Sequence, residues 1–305
     1  MRYEEFLKRY PSVARDTPLG KLDIFEEKSL LKDAREIEIA YQARLFEPKF
    51  LKELLGGVRL RYEELLKKRR IASRAIPIRI ISRKDSIFAE GVPYHYVYAL
   101  HYSPDLIVTK RPKRTVRDIL RRVLFDGNRM RSLEDSPFPN HLGVHILAFT
   151  SDGYAVLLKR SKKVTVAKKA LSLIEGTVSG DLKDRTYTLY DLALEEISEE
   201  LGVKEADVYA VSYFRSARLM GRPSIGLIAF LKASSKDLRP SREGKLRLIR
   251  LSERIETFDN IEGLEKLLKV AKQGSPTLKR LVLKLSQIVH DRLPESRADE
   301  NRGPL

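Results

Sequence analysis

The chain reads as an α/β protein, α+β taken over its whole length, and three observations predict this. Beyond residue 140, short apolar runs alternate with turn residues: Val144 to Phe149, the turn Ser151-Asp152-Gly153, then Tyr154 to Lys159. That is the pattern of a β-hairpin. A glycine-bearing loop, Glu175 to Asp181, then leads into a segment with Tyr190, Leu194, Ile197 and Leu201 at helical spacing, ended by Gly202. Ahead of residue 140 the apolar period changes near residue 75 from helical to strand-like.

Taken in order, residues 1–71 read mostly as helix, with segments over Glu36 to Leu45 and Phe50 to Arg70, the second broken at Gly56-Gly57 and ending in Lys67-Lys68-Arg69-Arg70. Ile76 to Ile81 and Tyr94 to Leu100 read as strands. In the second, Tyr94, Tyr96, Tyr98 and Tyr102 would share one side, either a half-buried sheet face or a platform for stacking bases. His95 and His101 would then stand too far apart to chelate one metal unaided. Thr115 to Phe125 reads as a basic amphipathic helix capped by Thr115, followed by a turn at Asp126-Gly127-Asn128. Ser136-Pro137-Phe138-Pro139-Asn140 is the best boundary, since two close prolines resist regular structure. Further strands are expected at Leu171 to Ile174, Val208 to Phe214, Ile225 to Lys232 and Leu246 to Leu251, and two helices within 261–292. The expected organisation is an N-terminal extension over 1–140, a main domain over 141–293 and a disordered tail over 294–305.

Composition narrows the chemistry. There is no cysteine among 305 residues, which excludes disulfides, cysteine nucleophiles and thiolate metal sites. Charged residues make up 33% and tryptophan is absent. With asparagine and glutamine also scarce, this is the composition expected of a thermophile. The net charge of +17 is spread over both halves: 30 basic against 20 acidic residues in 1–140, and 29 against 22 in 141–305. Such a field favours polyanions, so a nucleic acid is one candidate partner and a nucleotide another. No apolar run approaches a membrane span and the first residues lack the apolar core of a signal peptide, so a soluble cytoplasmic protein is expected. A homodimer is compatible with the sequence.

The most unusual stretch is Glu195-Glu196-Ile197-Ser198-Glu199-Glu200. Glu196 neighbours both Glu199 and Glu200 on a helix, and each like-charge pair costs about 0.2–0.5 kcal/mol on an isolated helix. The cluster also approaches the helix C-terminus, where the macrodipole disfavours anions. A solvated acidic face accounts for the spacing; so does a hard divalent cation, which takes carboxylate oxygens.

Glu196-Ile197-Ser198-Glu199-Glu200-Leu201-Gly202-Val203 resembles the second half of the Nudix box, G-x5-E-x7-R-E-U-x-E-E-x-G-U with U aliphatic. The likeness extends over roughly residues 141–270 and includes the hairpin, Leu157-Leu158-Lys159-Arg160 and the glycine loop. The box arginine is Glu195 here, and the expected first-half glutamate falls on Tyr187. Gly176, Gly180 and Asp181 match the glycine loop if about six residues are inserted before the helix. A stretched box and a long extension are similar to a Nudix subgroup with UDP-sugar pyrophosphatase activity.

The resemblance implies a mixed sheet sandwiched between helices and a hydrolase acting on the diphosphate of a nucleoside diphosphate derivative. It implies Mg2+ or Mn2+ held by Glu196, Glu199 and Glu200, which are also the catalytic residues, with Asp181 or Asp184 completing the shell. Phosphate charge would be offset by Lys159 and Arg160 and, as second choices, by Arg215, Arg218 and Arg222 in the connection between two strands. Gly176 would border the substrate. The general base stays open among Glu195, Glu200 and Glu243. A Nudix-fold protein that binds nucleic acid without catalysis, or senses nucleotides, is the alternative, since the degenerate first half and the charge of +17 suit it equally.

Overall fold

A computed structural model describes residues 3–10, 16–22, 24–47, 78–83, 86–105, 107–110, 113–160, 171–177, 184–241 and 244–292. Helix α1 spans Tyr3–Arg9, and strands β1 (Ile24–Asp33) and β2 (Glu38–Leu45) follow, joined by a 3-10 turn at Ala34–Glu36. Next come β3 (Ile78–Arg83), β4 (Ser86–Gly91), and α2, an α-helical turn Tyr94–Val97 that continues as a π-helical turn Tyr98–Tyr102. Two short hairpins, β5 (Ile107–Lys110) with β6 (Lys113–Thr115) and β7 (Phe125–Asp126) with β8 (Arg129–Met130), flank α3 (Val116–Leu124). The remainder runs β9 (Gly143–Phe149), β10 (Tyr154–Arg160), β11 (Leu171–Ser172), β12 (Ile174–Thr177), β13 (Arg185–Thr188), α4 (Leu189–Leu201), β14 (Ala206–Ser216), β15 (Arg222–Leu231), β16 (Gly244–Arg250), α5 (Leu264–Ala271) and α6 (Pro276–Arg292).

Eight strands form one mixed sheet in the order β1-β14-β15-β9-β10-β11, with β12 also on β9 and β16 also on β10. The β15–β9 pair is parallel and its neighbours are antiparallel. Both central strands are buried along their whole length, which requires cover on both faces. Side chains alternate to supply it. Val144, Ile146 and Ala148 of β9, with Ile225, Leu227 and Ala229 of β15, join a core shared with α4 and the smaller sheet β13-β2-β4-β3. Leu147 and Phe149, with Ile228 and Phe230, turn the other way against α5 and α6. The fold class is therefore the mixed sheet between helices that the resemblance implies.

Several expectations for residues before 140 need correcting. Residues 1–71 are not mainly helical where described: of the helix expected over Glu36 to Leu45, Glu38–Leu45 is strand β2. Ile39 and Tyr41, two residues apart, are both buried while Glu38 and Gln42 are exposed, and the strand is held between β13 and β4. Tertiary pairing overrides what short local spacing suggests. Tyr94 to Leu100 is helical, not a strand, so the four tyrosines form no single-sided stripe; the turn starts after Pro93, a favourable lead-in. The helix expected over Phe50 to Arg70 and the tail from 294 lie outside the described residues. Other expectations hold: β3 overlaps Ile76 to Ile81, and Thr115 caps α3 through a reciprocal pair of bonds with Asp118.

The segments ahead of β9 are stitched into the sheets. β1 forms an edge on β14, and β2 pairs with β13 just before α4. A third core gathers Phe6, Tyr96, Leu100, Leu120, Phe125 and Phe138 with Met220 from the β14–β15 turn. Its aromatic rings meet at tilted and edge angles, Tyr10 and Phe125 at 4.1 Å and Phe6 and Phe125 at 5.9 Å. Beside it, Glu90 accepts hydrogen bonds from Arg79 Nη1 (2.7 Å) and Arg44 Nε (2.6 Å). Arg79 spends its other donors on the carbonyls of Phe138 and Ser136, both at 2.9 Å. The proline stretch is thus clamped to β3. Removing the carboxylate would leave a buried guanidinium without its counter-charge, a change that costs about 3–5 kcal/mol in comparable settings. Glu90→Ala should therefore lower the stability measured by urea denaturation by that amount, and a loss below 1 kcal/mol would contradict the clamp.

Candidate functional site

Helix α4 is placed by its ends. The Thr188 hydroxyl accepts from the Asp191 backbone N–H (3.2 Å) while the Asp191 carboxylate accepts from that of Thr188 (2.8 Å), a capping box. At the other end Gly202 takes the left-handed conformation at φ 72°, which suits glycine, and bonds back to Ser198 O. The face that packs on the sheet is Leu189, Leu192, Ala193, Ile197 and Leu201. It is rotated from the expected stripe: Tyr190 and Leu194 are only half-buried. The rotation changes the surroundings of the glutamates, which were expected to face outward. Glu195 and Glu199 are exposed, Glu196 is half-buried, and Glu200 is buried at 6% exposure.

Glu196 lies directly over Gly176 on β12. A Cβ built on Gly176 would stand 1.6 Å from its Cδ and 1.8 and 2.1 Å from its two carboxylate oxygens. Only a residue without a side chain leaves room for that carboxylate. The structure therefore brings Gly176 and Glu196 together, from positions twenty residues apart. Glu200 follows one helical turn later, the distance at which helix residues are neighbours.

Arg160, at the end of β10, approaches the same strand: its Nη1 is 3.6 Å from Glu175 Oε2. Lys159 is exposed. Arg215 and Arg222 are not in the connection, as the sequence suggested, but inside β14 and β15, since Ser216 pairs with Arg222 and leaves a turn of five residues. Arg218 is exposed in that turn. Arg215 is buried and holds the turn and its neighbour, donating to Gly221 O (3.0 Å) and Arg131 O (2.6 Å). Asp181 and Glu243 lie outside the described residues. Asp184 accepts a hydrogen bond from the Ala43 backbone, and Tyr187 packs edge-on against Tyr41. Among the described residues no three histidine or acidic side chains converge tightly enough to hold a metal ion. The donor chemistry of Glu196 and Glu200, hard oxygen ligands one turn apart beside a glycine cradle, fits a divalent cation, and Glu199 would have to swing in from solvent.

The opposite face of the same strand end carries a polar cluster that sequence reasoning missed. Glu175 pairs in register with His145 of β9, whose Nδ1 lies 3.6 Å from Glu175 Oε1. His141 and His101 are fully buried nearby; His101 Nδ1 donates to Leu219 O at 2.8 Å. Arg222 lies over Gly143, where a Cβ would meet its Nη2 at 2.5 Å and His145 Nε2 at 3.2 Å. Burial lowers all three imidazoles from their ordinary value near 6.5, His101 to about 3, and neighbouring arginines add to the shift. For Glu175, burial opposes ionisation, but the neighbouring His145 imidazole and the charges of Arg160 and Arg222 outweigh it and hold its carboxyl below the usual range. The legible signal was a histidine inside the apolar run Gly143-Val144-His145-Ile146-Leu147.

Neutral buried histidines make stability depend on pH in a definite direction. The unfolded chain gains protons below about 6.5 that the folded chain refuses, so this contribution is complete above that pH and is lost as pH falls toward the folded values. Each histidine supplies a slope of up to ~1.4 kcal/mol per pH unit. The Glu175 contribution, from a depressed carboxyl, is lost only at lower pH. Urea midpoints should fall steadily between pH 7 and 5, and more shallowly for His141→Gln; a flat wild-type profile is the opposing result.

No protein-family model matches this chain, and no curated protein does. Among solved structures it is similar to the MutT protein of Methanosarcina mazei Go1, at 17% identity over 48% of this chain and 93% of that one, with a TM-score of 0.33. A Nudix-family hydrolase from Clostridium perfringens is 14% identical over 49% of this chain and 98% of that one, at 0.30. A Bacillus subtilis pyrophosphohydrolase, BsRppH, is 14% identical over 50% and 82%, at 0.32.

Proposed function

We propose that the chain is a Nudix-type hydrolase that cleaves the diphosphate of a nucleoside diphosphate derivative, a nucleotide sugar being one candidate, in the cytoplasm. Residues 141–293 form the hydrolase unit and 1–140 its extension. The observation that carries this is the carboxylate of Glu196 seated on Gly176, with Glu200 one turn along the helix and Glu199 beside it. A glycine whose three nearest atoms at the Cβ position all belong to a helix carboxylate supports reading Gly176 and Glu196 as parts of one site.

Glu196, Glu200 and Glu199 would hold Mg2+ or Mn2+, with Asp181 as a further candidate ligand. Bound there, the ion supplies charge neutralisation to a diphosphate and a lowered pKa to water. The chain's own side chains then have distinct tasks. Arg160, at the end of β10, would turn away from Glu175 to offer its guanidinium to phosphate oxygens, and Lys159 adds charge from the exposed side of the strand end. Gly176 keeps the backbone of β12 close to the carboxylate, so a substrate phosphate meets peptide groups rather than a side chain.

Purified protein with magnesium should hydrolyse at least one of a panel of nucleotide sugars, ADP-ribose, NADH, dinucleoside polyphosphates and capped RNA. Glu199→Gln combined with Glu200→Gln should lower the rate at least a hundredfold while leaving the circular dichroism spectrum unchanged. Inactivity of the wild type on every compound would sink the proposal. Gly176→Ala tests the cradle separately: the Glu196 side chain can swing aside, so the protein should stay folded, but the magnesium concentration for half-maximal rate should rise at least tenfold. An unchanged magnesium requirement would show that the contact has no part in metal binding.

A further inference from the structure

The polar cluster on the far side of β12 holds donors that the fold does not use. Arg222 is 4% exposed, yet among the described residues no carboxylate pairs with it and its Nε has no hydrogen-bond partner. Its guanidinium carbon lies 5.5 Å from the centroid of the Tyr102 ring. Ser224, on the same face of β15, has a buried hydroxyl with no partner. Both ring nitrogens of His141 are likewise buried and without partners. A guanidinium does not deprotonate in proteins, so Arg222 cannot shed its charge to suit an apolar setting. A buried cation and several buried donors left unmade are each costly, and together they point to something that occupies the site.

The groups lie close together. Gly143 pairs with Ser224 across the parallel strands, and the Arg222 guanidinium fills the place a side chain on Gly143 would take, beside His145 Nε2. His141 lies two residues before Gly143 and feels the charges of Arg222, His101 and His145. Glu175, the nearby carboxylate, lies 3.6 Å from both His145 and Arg160; it feels the charge of Arg222 but forms no ion pair with it. From the extension, α2 closes over the cluster with Tyr102 and His101.

We propose that this cluster binds a small oxyanion, a phosphate or carboxylate group, held by Arg222, Ser224 and His141 and covered by α2. The charge sign follows from a buried cation that has no ion-pair partner among the described residues, and the small size from how closely these groups are packed. Neutral His141 can donate one N–H to the anion and accept from a second group on the ligand. The site is separate from the glutamates of α4: Glu175 and Gly176 are adjacent on a strand, so their neighbours lie on opposite faces. It does not depend on the chain being a hydrolase.

The test uses the full chain in buffer free of phosphate and carboxylate, with EDTA present. Inorganic phosphate and acetate are titrated separately by calorimetry and by thermal unfolding. Saturable binding of either supports the site, and the two arms show which oxyanion it takes. Arg222→Met should lose that binding at least tenfold and, because it removes a buried charge without a partner, should unfold at a higher temperature than the wild type in the anion-free buffer. Ser224→Ala, a smaller change, should weaken binding severalfold and serves if Arg222→Met does not fold. Glu199→Gln should bind as the wild type does, which separates this site from the proposed metal helix. The proposal is overturned if neither anion binds, as it would be were the cluster merely hydrated. Undiminished binding in the Arg222 and Ser224 variants, or loss of binding in Glu199→Gln, overturns it too.

Discussion

Two strands buried on both faces, β9 and β15, decide where chemistry can occur in this protein. Along their middles every residue must be apolar, because each faces either α4 and the smaller sheet or α5 and α6. A polar side chain there would cost several kcal/mol unless it found a partner. Polar side chains are therefore confined to one end, His145 on β9 and Arg222 and Ser224 on β15, where Gly143 leaves room for the guanidinium. β12 lies against the same end of β9 and adds Glu175 and Gly176. Alternation then sorts them, sending Glu175 toward the histidines and opening Gly176 to Glu196. One strand end serves two chemically opposite surfaces.

The segments before β9 are built into that arrangement. β1 extends the large sheet at β14, the strand that carries Arg215, and β2 pairs with β13, whose last residue caps α4. Helix α2 reaches the β14–β15 turn through the bond from His101 to Leu219 O. The clamp of Arg79 and Arg44 on Glu90 fixes the chain that enters β9, since Arg79 also bonds the carbonyls of Ser136 and Phe138. Losing these contacts would loosen both sides of the site at once, because the same backbone runs from Phe138 through His141 to His145.

What the sequence made legible follows from how local each signal is. The hairpin Ser151-Asp152-Gly153, the Thr115 cap and the glycine stop after α4 are written within a few residues and appear as expected. β2 was mistaken for helix because its burial depends on β4 and β13, which are far away in sequence. α2 was mistaken for strand because alternating tyrosines imitate a sheet period over seven residues. The glutamate cluster of α4 was legible by its spacing. Their unequal exposure was not, since it depends on a rotation of α4 set by Leu192 and Ala193, and the seat of Glu196 on Gly176 depends on a strand pairing across the sheet. The Arg222 cluster was hidden for the same reason: its members sit at positions 101, 141, 145, 175, 222 and 224.

The electrostatics of α4 now have a physical context. Glu196 and Glu200 repel one another across one turn and lie toward the negative end of the helix dipole, with Glu200 removed from water as well. Each effect is small on an exposed helix, and burial enlarges all of them because the local dielectric falls. A helix whose only requirement was solubility would place these carboxylates on its outer face, as it does Glu195 and Glu199. Two of them turn toward the sheet instead, with a glycine where a side chain would exclude one, and the cation of the proposed site would stabilise them there. On the reverse face Arg222 presents the mirror case, a buried cation that an anion would repay. The end of the sheet therefore sets the Glu196 carboxylate over Gly176 on one face and the Arg222 guanidinium over Gly143 on the other, across one layer of backbone.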